Sequence, residues 1–409
     1  MPAITTPVLL AWVLAVLVLA TLIGQVLART GFALSDSHRT FAEIDGLRGY
    51  LALMVMVQHF LIWAHGPPTA PTWTPPPLPF AQELGIGSVA VFFMITGFLF
   101  ASRIDRGLFA TNWAEFAVAR FFRLAPLVLV SLLVVELLIH AETGARPVWR
   151  DGWTALMWVF GRQEMLPLAG MAEPDLWDAH VLWSLRWEWI FYAAIMPAWA
   201  AAITIWPRAR QDWRLPSVMV LGCLGTSATC AALGRSVPAL AQFLPFFVAG
   251  YVVRALVRHE RLRRVLGGPI GDGVTVIALI VAMAIWPDPF GWGQLGYAVV
   301  FLCVASGAGL GGILRLPGAL VLGECSYAIY LFHGLALALL FRWAPALVHA
   351  RPPAAQPLWL LAATVVVVPA TAALHLAVER PLLLQGKRWG RSVGKRFSVL
   401  WRGRQETPA

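Results

Sequence analysis

Residues 46–64 read GLRGYLALMVMVQHFLIWA, an apolar run interrupted by Arg48 and His59. A helix needs about 20 mostly apolar residues to cross a bilayer, because hydrocarbon cannot satisfy the N–H and C=O groups of the backbone. This stretch has the required length and predicts a membrane span. Ionisable residues in such a span are costly, so Arg48 and His59 require an explanation.

The composition of the whole chain also predicts a membrane protein. Of the 409 residues, 59% are hydrophobic and only 13% are charged, whereas soluble domains have about 25% charged residues. With 20 Trp and 22 Phe, the apolar surface exceeds what one soluble core could enclose. The formal net charge is +10, but the basic residues lie between apolar segments and lack the clustered face of a nucleic-acid-binding protein. An ordinary soluble enzyme and a nucleic-acid partner are therefore excluded.

Further segments resemble residues 46–64 in length and apolar character. The expected fold is all-α, a polytopic membrane bundle of about 11 transmembrane helices, ten in a core and one added at the N-terminus. The predicted spans are 7–28, 46–64, 86–102, 121–139, 182–206, 216–233, 238–256, 273–286, 292–313, 318–341 and 357–378. The span at 273–286 is short and must be extended at one end. The apolar stretch 152–160 is shorter still and predicts an interfacial or re-entrant segment.

The distribution of Lys and Arg predicts the orientation of these spans. Alternate loops are rich in Arg, whereas the loop 65–85 has no Lys or Arg and the loop 141–180 has six carboxylates against three Arg. Because Lys and Arg favour cytoplasmic loops, the Arg-rich set and the C-terminus are expected on the cytoplasmic side. Eleven spans then place the N-terminus outside.

Three regions are predicted along the chain. Residues 1–40 hold the extra N-terminal helix and a linker, residues 41–385 the main membrane domain, and residues 386–409 a basic amphipathic cytoplasmic tail. The first helix lacks the basic start of a signal peptide, so an uncleaved helix is preferred over a cleaved one. The tail aligns an apolar face among Lys and Arg, which predicts an interfacial helix held by anionic lipid. That face is formed by Trp389, Val393, Phe397 and Leu400.

Arg48 and His59 share one face of the second predicted helix. Eleven residues at about 100° each return to within about 20° of the starting direction, over a rise of about 16 Å. The predicted orientation places Arg48 at the cytoplasmic mouth and His59 near the bilayer centre. Such a column suits an anionic ligand held at the mouth with its reactive end beside a base. An Arg that reaches the headgroups and a His bonded within the bundle would give the same pattern.

Two pairs of ionisable residues lie at the ends of other spans. Arg120 and Arg123 are adjacent on one helical face and either clamp a phosphate or act as topogenic charge. Arg186 and Glu188 begin a span on the predicted outer side. Because residues two apart do not face each other on a helix, each is expected to pair with another element.

The last two spans carry further ionisable residues. His333 lies nine residues, about 13 Å, beyond Glu324 and is a second intramembrane histidine. The final span contains His375 and ends at Glu379, which is either an interface anchor or a site residue. The intramembrane histidines fall on three helices without ligand-spaced carboxylates, and the four cysteines lack the paired spacing of metal motifs. No metal and no tightly bound cofactor are expected.

Six sequence strings together resemble the membrane-bound acyltransferase 3 family. The resemblance runs from about residue 42 to 382 and includes the Arg, ten residues, His spacing of the second span. The strings are DGLRGYLALMVMVQHF (45–60), VAVFFMITGFLF (89–100), RFFRLAP (120–126), LWSLRWEWIFY (182–192), SYAIYLFHG (326–334) and ERP (379–381). The sequence departs from the family's usual pattern at Thr96, at Arg186 and at Phe332.

The family O-acylates sugars and other hydroxyl acceptors with acyl-CoA, so the resemblance implies an acyltransferase that transfers groups other than aminoacyl groups. Arg48 and His59 would be essential, and Arg120 and Arg123 would belong to the donor site. Acyl-CoA, with acetyl-CoA as the expected form, would be a co-substrate, and a glycan or similar hydroxyl compound the acceptor. The implied location is the bacterial inner membrane. Apart from the resemblance, Glu188 and His333 are weaker candidates for orienting the acceptor, and Asp45, Ser326, Tyr330 and Glu379 are further candidates for acceptor or supporting roles.

Acyl transfer to an alcohol requires removal of the hydroxyl proton and charge for the phosphates of the donor. His59 is the expected general base, or else the group that accepts the acyl chain and relays it. A proton-coupled transporter, with His, Glu and Arg as a relay, is the alternative function. A purely structural membrane protein would leave the Arg48 and His59 column without purpose. Acceptor identity, acyl length and oligomeric state stay open.

Overall fold

The computed structural model describes residues 5–34, 38–66, 73, 75–146, 148–163, 166–210, 212–288, 290–344 and 355–403. Its helices follow the predicted apolar segments. They are α1 (Thr6–Arg29), α2 (His38–His65), α3 (Pro79–Arg106), α4 (Trp113–Thr143), α5 (Asp151–Val159), α6 (Trp183–Ile205), α7 (Arg214–Ala232), α8 (Ala239–Leu256), α9 (Glu260–Leu266), α10 (Pro269–Ile285), α11 (Gly293–Ser306), α12 (Pro317–Glu324), α13 (Ser326–Trp343), α14 (Gln356–Leu374) and α15 (Arg380–Gly403).

The all-α fold is confirmed, and each predicted span falls on a helix or a pair of helices. Within the described residues, eight helices are long and apolar enough to cross a membrane, and the pair α9 and α10, bent by 74°, would make a ninth. Two shorter apolar helices occupy the remaining predicted segments. The total of eleven crossings stays a prediction.

Three boundaries differ from the predicted ones. The segment 318–341 is two helices, α12 and α13, which meet at Cys325. The segment 292–313 ends at Ser306, because a glycine-rich loop with positive φ at Gly307 follows. The last span continues through a π-helical turn (His375–Glu379) into α15, so the tail extends the span without a break.

The chain divides into two compact units, described separately below. The first unit comprises the described residues of 1–101 and 211–371, and the second those of 102–210 and 372–409.

Close approach of helix backbones builds the first unit. A Cβ placed at Gly97 of α3 would lie 2.0 Å from the carbonyl oxygen of Phe247, and one at Gly250 of α8 would lie 1.9 Å from that of Met94. The two glycines thus permit α3 and α8 to pack backbone against backbone, as small residues do between membrane helices.

Close contacts at glycine residues also join α2 to α12. A Cβ added at Gly46 would overlap the carbonyl group of Leu314, just before α12. One added at Gly49 would overlap Leu322 on α12. The first helix also packs into this unit, since Gly24 meets Gly318 and the hydroxyls of Thr21 and Tyr50 are 2.9 Å apart.

The α3–α8 contact predicts the effect of adding one methyl group. We expect Gly97→Ala to destabilise the protein by about 1–3 kcal/mol, the usual cost of overpacking, and to lower the temperature of thermal unfolding in detergent. Gly225→Ala in α7 is the matched control, because no atom lies within 4 Å of the added Cβ. Equal unfolding temperatures for the two variants would contradict the close contact.

In the second unit, α15 packs antiparallel along the first half of α4. Its buried face is a glycine row, in which Gly386 meets Phe122, Gly390 meets Glu115 and Gly394 meets Asn112. The sequence pattern predicts only the apolar row of the tail and not this glycine row. Trp389, a member of the apolar row, is 60% exposed. The side chains of Phe397 and Leu400 lie outside the described part. The tail therefore binds protein through its glycines, and its contact with lipid stays a prediction.

Candidate active site

His59 and His333 form a buried pair in the first unit. His59 lies on α2 and His333 on α13, and His59 Nδ1 is 2.8 Å from His333 Nε2. The rings are 7% and 0% exposed. Trp73 contacts the ring of His59 edge-on, with centroids 5.0 Å apart. The structure thus brings together two histidines that are 274 residues apart in the sequence.

The hydrogen bonds of this pair define its tautomers. His333 Nδ1 lies 3.0 Å from the carbonyl oxygen of Ile329, which can only accept, so Nδ1 carries the proton. In the neutral ring Nε2 is then an acceptor, and the proton between the rings belongs to His59 Nδ1. The lone pair of the neutral His59 ring is consequently on Nε2. This is the arrangement of an imidazole base oriented by a second group.

Two other predicted residues share the helix face of His333. Ser326, Tyr330 and His333 are spaced at i, i+4 and i+7 on α13 and are all buried. The ring of Tyr330 packs edge-on against His333, with centroids 6.1 Å apart. Ser326 Oγ is buried at the start of α13 and has no hydrogen-bond partner among the described residues.

Arg48 and Asp45 form an ion pair on the first turns of α2. Arg48 Nη1 lies 3.4 Å from Asp45 Oδ1, and the two side chains are 23% and 17% exposed. The helix is continuous from Ala42 to His65, because its one non-helical residue is Phe41. The predicted common face of Arg48 and His59 therefore lies on unbroken helix.

The sequence interpretation missed a buried carboxylate on α3. Tyr297 of α11 donates a hydrogen bond of 2.6 Å to Glu83 Oε2, and Glu83 is 3% exposed. Two residues further, the backbone of Gly85 packs against the Gln58 side chain, the neighbour of His59. A carboxylate near the start of an otherwise apolar span was the available signal.

In the second unit, Arg123 and Glu379 form a buried salt bridge. The Glu379 side chain is 1% exposed, and its Oε2 lies 2.8 Å from His375 Nδ1 in the π-helical turn. The Arg123 side chain is 19% exposed. Glu379 is therefore a bridging residue inside the protein and not an anchor at the interface. The predicted donor residue Arg123 has a carboxylate partner of opposite charge.

Arg120 contacts two aromatic rings. Its guanidinium lies 5.8 Å from the ring centre of Phe116 and 5.7 Å from that of Tyr192. The hydroxyl of Tyr192 donates a hydrogen bond to Glu188, four residues earlier in α6. This contact lies within one helix, because residues four apart face each other, and the expected pairing of Glu188 with another element stays a prediction. Tyr192 thus connects Glu188 with Arg120.

A second polar cluster fills the loop between α5 and α6. The carboxyl of Asp178 is fully buried and accepts a hydrogen bond of 2.6 Å from Gln163 Nε2, while Gln163 Oε1 accepts one of 3.0 Å from the Leu182 N–H. Desolvation by burial, with a contribution from the charge of Asp175, raises the pKa of Asp178 well above its usual range. Asp178 is therefore protonated in the folded protein at pH values where an exposed Asp is ionised.

This raised pKa predicts a pH-dependent stability. As the pH rises above about 3.9, the unfolded Asp ionises while the folded one keeps its proton, so stability falls by about 1.4 kcal/mol per pH unit until the folded pKa is reached. Asp178→Asn keeps an acceptor for Gln163 without the charge. We expect the variant to match the parent protein in acid and to exceed it in thermal stability at pH 7.

Glu173→Gln, at an exposed position of the same loop, is the control and should follow the parent protein. Parallel stability curves for the parent and Asp178→Asn from pH 4 to 8 would refute the buried, protonated carboxyl.

No three His, Cys, Asp or Glu side chains cluster as metal ligands within the described residues. The predicted site residues form two groups: Asp45, Arg48, His59, Ser326, Tyr330 and His333 in the first unit, and Arg120, Arg123, Glu188 and Glu379 in the second.

Comparison with known proteins bears directly on the function. The family described as "Acyltransferase domain" matches residues 41–376. The chain is 26% identical to the "Exopolysaccharide production protein ExoZ" of Rhizobium meliloti (strain 1021) over 319 residues, which are 74% of this chain and 91% of that protein. No solved structure matches the chain. The predicted resemblance is confirmed, and an acyltransferase is supported over a transporter. Since the matched domain covers most of the sequence, the chain belongs to the acyltransferase 3 family.

Proposed function

We propose that the protein is an O-acyltransferase of the bacterial inner membrane that moves a short acyl group, in the first instance acetyl, from acyl-CoA to a hydroxyl of an exopolysaccharide or its precursor. Family membership supports the reaction class, and the name of the relative supports a polysaccharide acceptor. The C-terminus and the donor lie on the cytoplasmic side in this proposal, as the Lys and Arg distribution predicts.

The hydrogen-bonded His59 and His333 pair carries the proposal. His59 Nε2 removes the proton of the acceptor hydroxyl, whose oxygen then attacks the thioester carbonyl carbon. The C–S bond breaks, and the leaving thiolate takes the proton back from His59, so that an ester and CoA are the products. His333 accepts the hydrogen bond from His59 Nδ1–H and thereby orients the imidazole and stabilises its charged form.

Arg48 has a separate part in the proposed reaction. It lies eleven residues, about 16 Å, before His59 on the same face of α2. A cation at that distance attracts an anionic donor, and the helix directs the arm of the donor toward the histidines. Asp45 orients the guanidinium through the ion pair of 3.4 Å.

The test uses the purified full chain in lipid nanodiscs, acetyl-CoA with a labelled acetyl group, and exopolysaccharide from cells that lack the gene. We expect labelled ester on the polysaccharide and release of CoA in equal amounts. Label in the polysaccharide that survives mild alkali would contradict O-acylation. Movement of a solute across a sealed vesicle without release of CoA would support the transporter instead.

The same assay separates direct transfer from an acyl relay. Rapid quenching before the acceptor is added leaves the protein unlabelled if His59 acts only as a base. Label on the parent protein that is lost in a His59 variant would establish the relay.

A further inference from the structure

A basic cavity of about 800 Å³ opens in the first unit at the start of α2. It lies between residues 41–44 of α2, the end of α8, the short helix α9 and the end of α11 with the loop that follows it. Five arginines and two glutamates line it, which gives a formal net charge of +3. These residues are Arg254, Arg258, Arg263, Arg264, Arg315, Glu43 and Glu260.

Local structure makes the arginines converge on this cavity. Helix α8 ends at Leu256, and the short basic helix α9 is bent by 74° from α10, so the chain changes direction beside the cavity. The glycine-rich loop opposite is fixed by Asp272, whose carboxylate accepts hydrogen bonds of 2.7 Å and 2.9 Å from the N–H groups of Leu310 and Gly311. Arginines that only set the membrane orientation would not need a bent helix and a hydrogen-bonded loop around them.

The arginines of the cavity have different local partners. Arg315 is paired with Glu43, and Arg254 lies over the rings of Phe41 and Phe98. Arg263 and Arg264 share the carboxylate of Glu260, and the three side chains are 53%, 76% and 56% exposed. Exposed ion pairs contribute little to stability, because water screens the two charges. A phosphate can therefore replace Glu260 as the partner of these two guanidiniums at little cost.

We propose that this cavity binds the phosphate groups of a nucleotide-bearing acyl carrier, and that Arg258, Arg263 and Arg264 are its main anion contacts. The proposal rests on the proposed transfer from acyl-CoA and moves the phosphate contacts to the first unit. The cavity is lined by Ala42, Glu43 and Ile44, which follow the non-helical Phe41 in the helix that carries Arg48 and His59. The phosphate groups of the carrier thus lie at the Arg48 end of α2, and His59, the proposed base, lies at the other end of the Arg48 and His59 column.

Charge favours an anion in this position, because the lining residues carry a formal net charge of +3. Guanidinium groups add paired hydrogen bonds to phosphate oxygens that ammonium groups cannot copy. Two sources supply such phosphates, a soluble nucleotide carrier and the headgroup of an anionic lipid, and the experiment separates them.

The test measures binding of unacylated CoA to the full chain in nanodiscs of zwitterionic lipid. Removal of three charges in Arg258→Ala/Arg263→Ala/Arg264→Ala should weaken the Kd by about tenfold or more, equivalent to about 1.4 kcal/mol. The matched control is Arg208→Ala/Arg210→Ala/Arg214→Ala, which removes three arginines outside the cavity. The control should change the Kd by less than about twofold, because none of its three arginines lines the cavity.

Glu260→Gln provides the opposite change. It removes a negative charge from the same cavity, so CoA should bind more tightly, and this result does not depend on whether the triple variant folds. Equal weakening by both triple variants, or no change with Glu260→Gln, would overturn the assignment.

Nanodiscs with anionic lipid identify the source of the phosphate. If the parent protein and the cavity variant bind CoA equally in zwitterionic discs, but only the parent retains anionic lipid, the cavity binds headgroups and the assignment to the carrier is wrong. The transfer assay keeps the two proposals distinct. If the parent protein transfers the acyl group and the cavity variant binds CoA as tightly as the parent, only the cavity assignment is refuted. If CoA binding depends on the cavity but the parent protein transfers no acyl group, only the proposed reaction is refuted.

Discussion

His59→Gln is expected to fold, to insert, and to lose acyl transfer by a factor of about 100 or more, the range of a general base. Gln preserves a donor and an acceptor at this position but has no basic nitrogen, so loss of basicity is the principal change. The readout is kcat for labelled ester formation, with thermal unfolding as the measure of folding. His140→Gln at an exposed position of α4 is the control and should keep parental activity.

His333 should act through His59, as a positioning residue, and its variants test this separately. His333→Phe removes the acceptor for His59 Nδ1–H and should reduce kcat and shift the pH profile of the reaction. His333→Gln retains an acceptor oxygen and should recover part of the rate. If His59→Gln retained near-parental turnover while remaining folded, hydrogen bonding alone would suffice at that position and the base would have to be sought elsewhere.

The helices and the candidate column follow from local patterns in the sequence. Apolar length predicted where the apolar helices lie, because the cost of unsatisfied backbone groups in hydrocarbon does not depend on the partners of a helix. The common face of Arg48 and His59 followed from the helical period alone. Both inferences concern one helix at a time.

Contacts between helices are not contained in such patterns. His333 was singled out as a weaker candidate for the acceptor side, yet it bonds directly to His59, and a separation of 274 residues gives no periodic signal for that contact. Gly46 and Gly49 stand in the quoted motif, but only the packed structure shows that α12 lies against them. Small residues between helices are common in membranes, so they do not specify a partner.

The second unit limits what charge patterns predict about the donor site. The i and i+3 spacing of Arg120 and Arg123 predicted two adjacent cations, whereas each has a different environment in the structure, a pair of aromatic rings for Arg120 and the carboxylate of Glu379 for Arg123. Spacing predicts which side chains share a helix face, but it does not show whether those side chains already contact other groups of the protein. The donor role of these two residues stays a prediction, which the following experiment tests at Arg123.

Glu379→Ala is expected to destabilise the protein by about 3–5 kcal/mol, because it leaves the guanidinium of Arg123 without its buried partner. The double variant Arg123→Met/Glu379→Leu removes both charges and should recover most of that stability, since apolar residues replace a buried ion pair at little cost. Thermal unfolding of the three proteins measures the difference. The control is Glu260→Ala, which breaks an exposed ion pair and should leave the unfolding temperature close to that of the parent protein.

The double variant also separates structure from donor binding at Arg123. If the salt bridge has only a structural role, the stable double variant should bind CoA with the affinity of the parent protein. If Arg123 contacts the phosphates of the donor, affinity should fall although stability is regained, and charge-preserving Arg123→Lys should restore only part of it because Lys cannot form the paired contacts. A stable Glu379→Ala protein would contradict the buried salt bridge itself and return Glu379 to a position at the membrane interface.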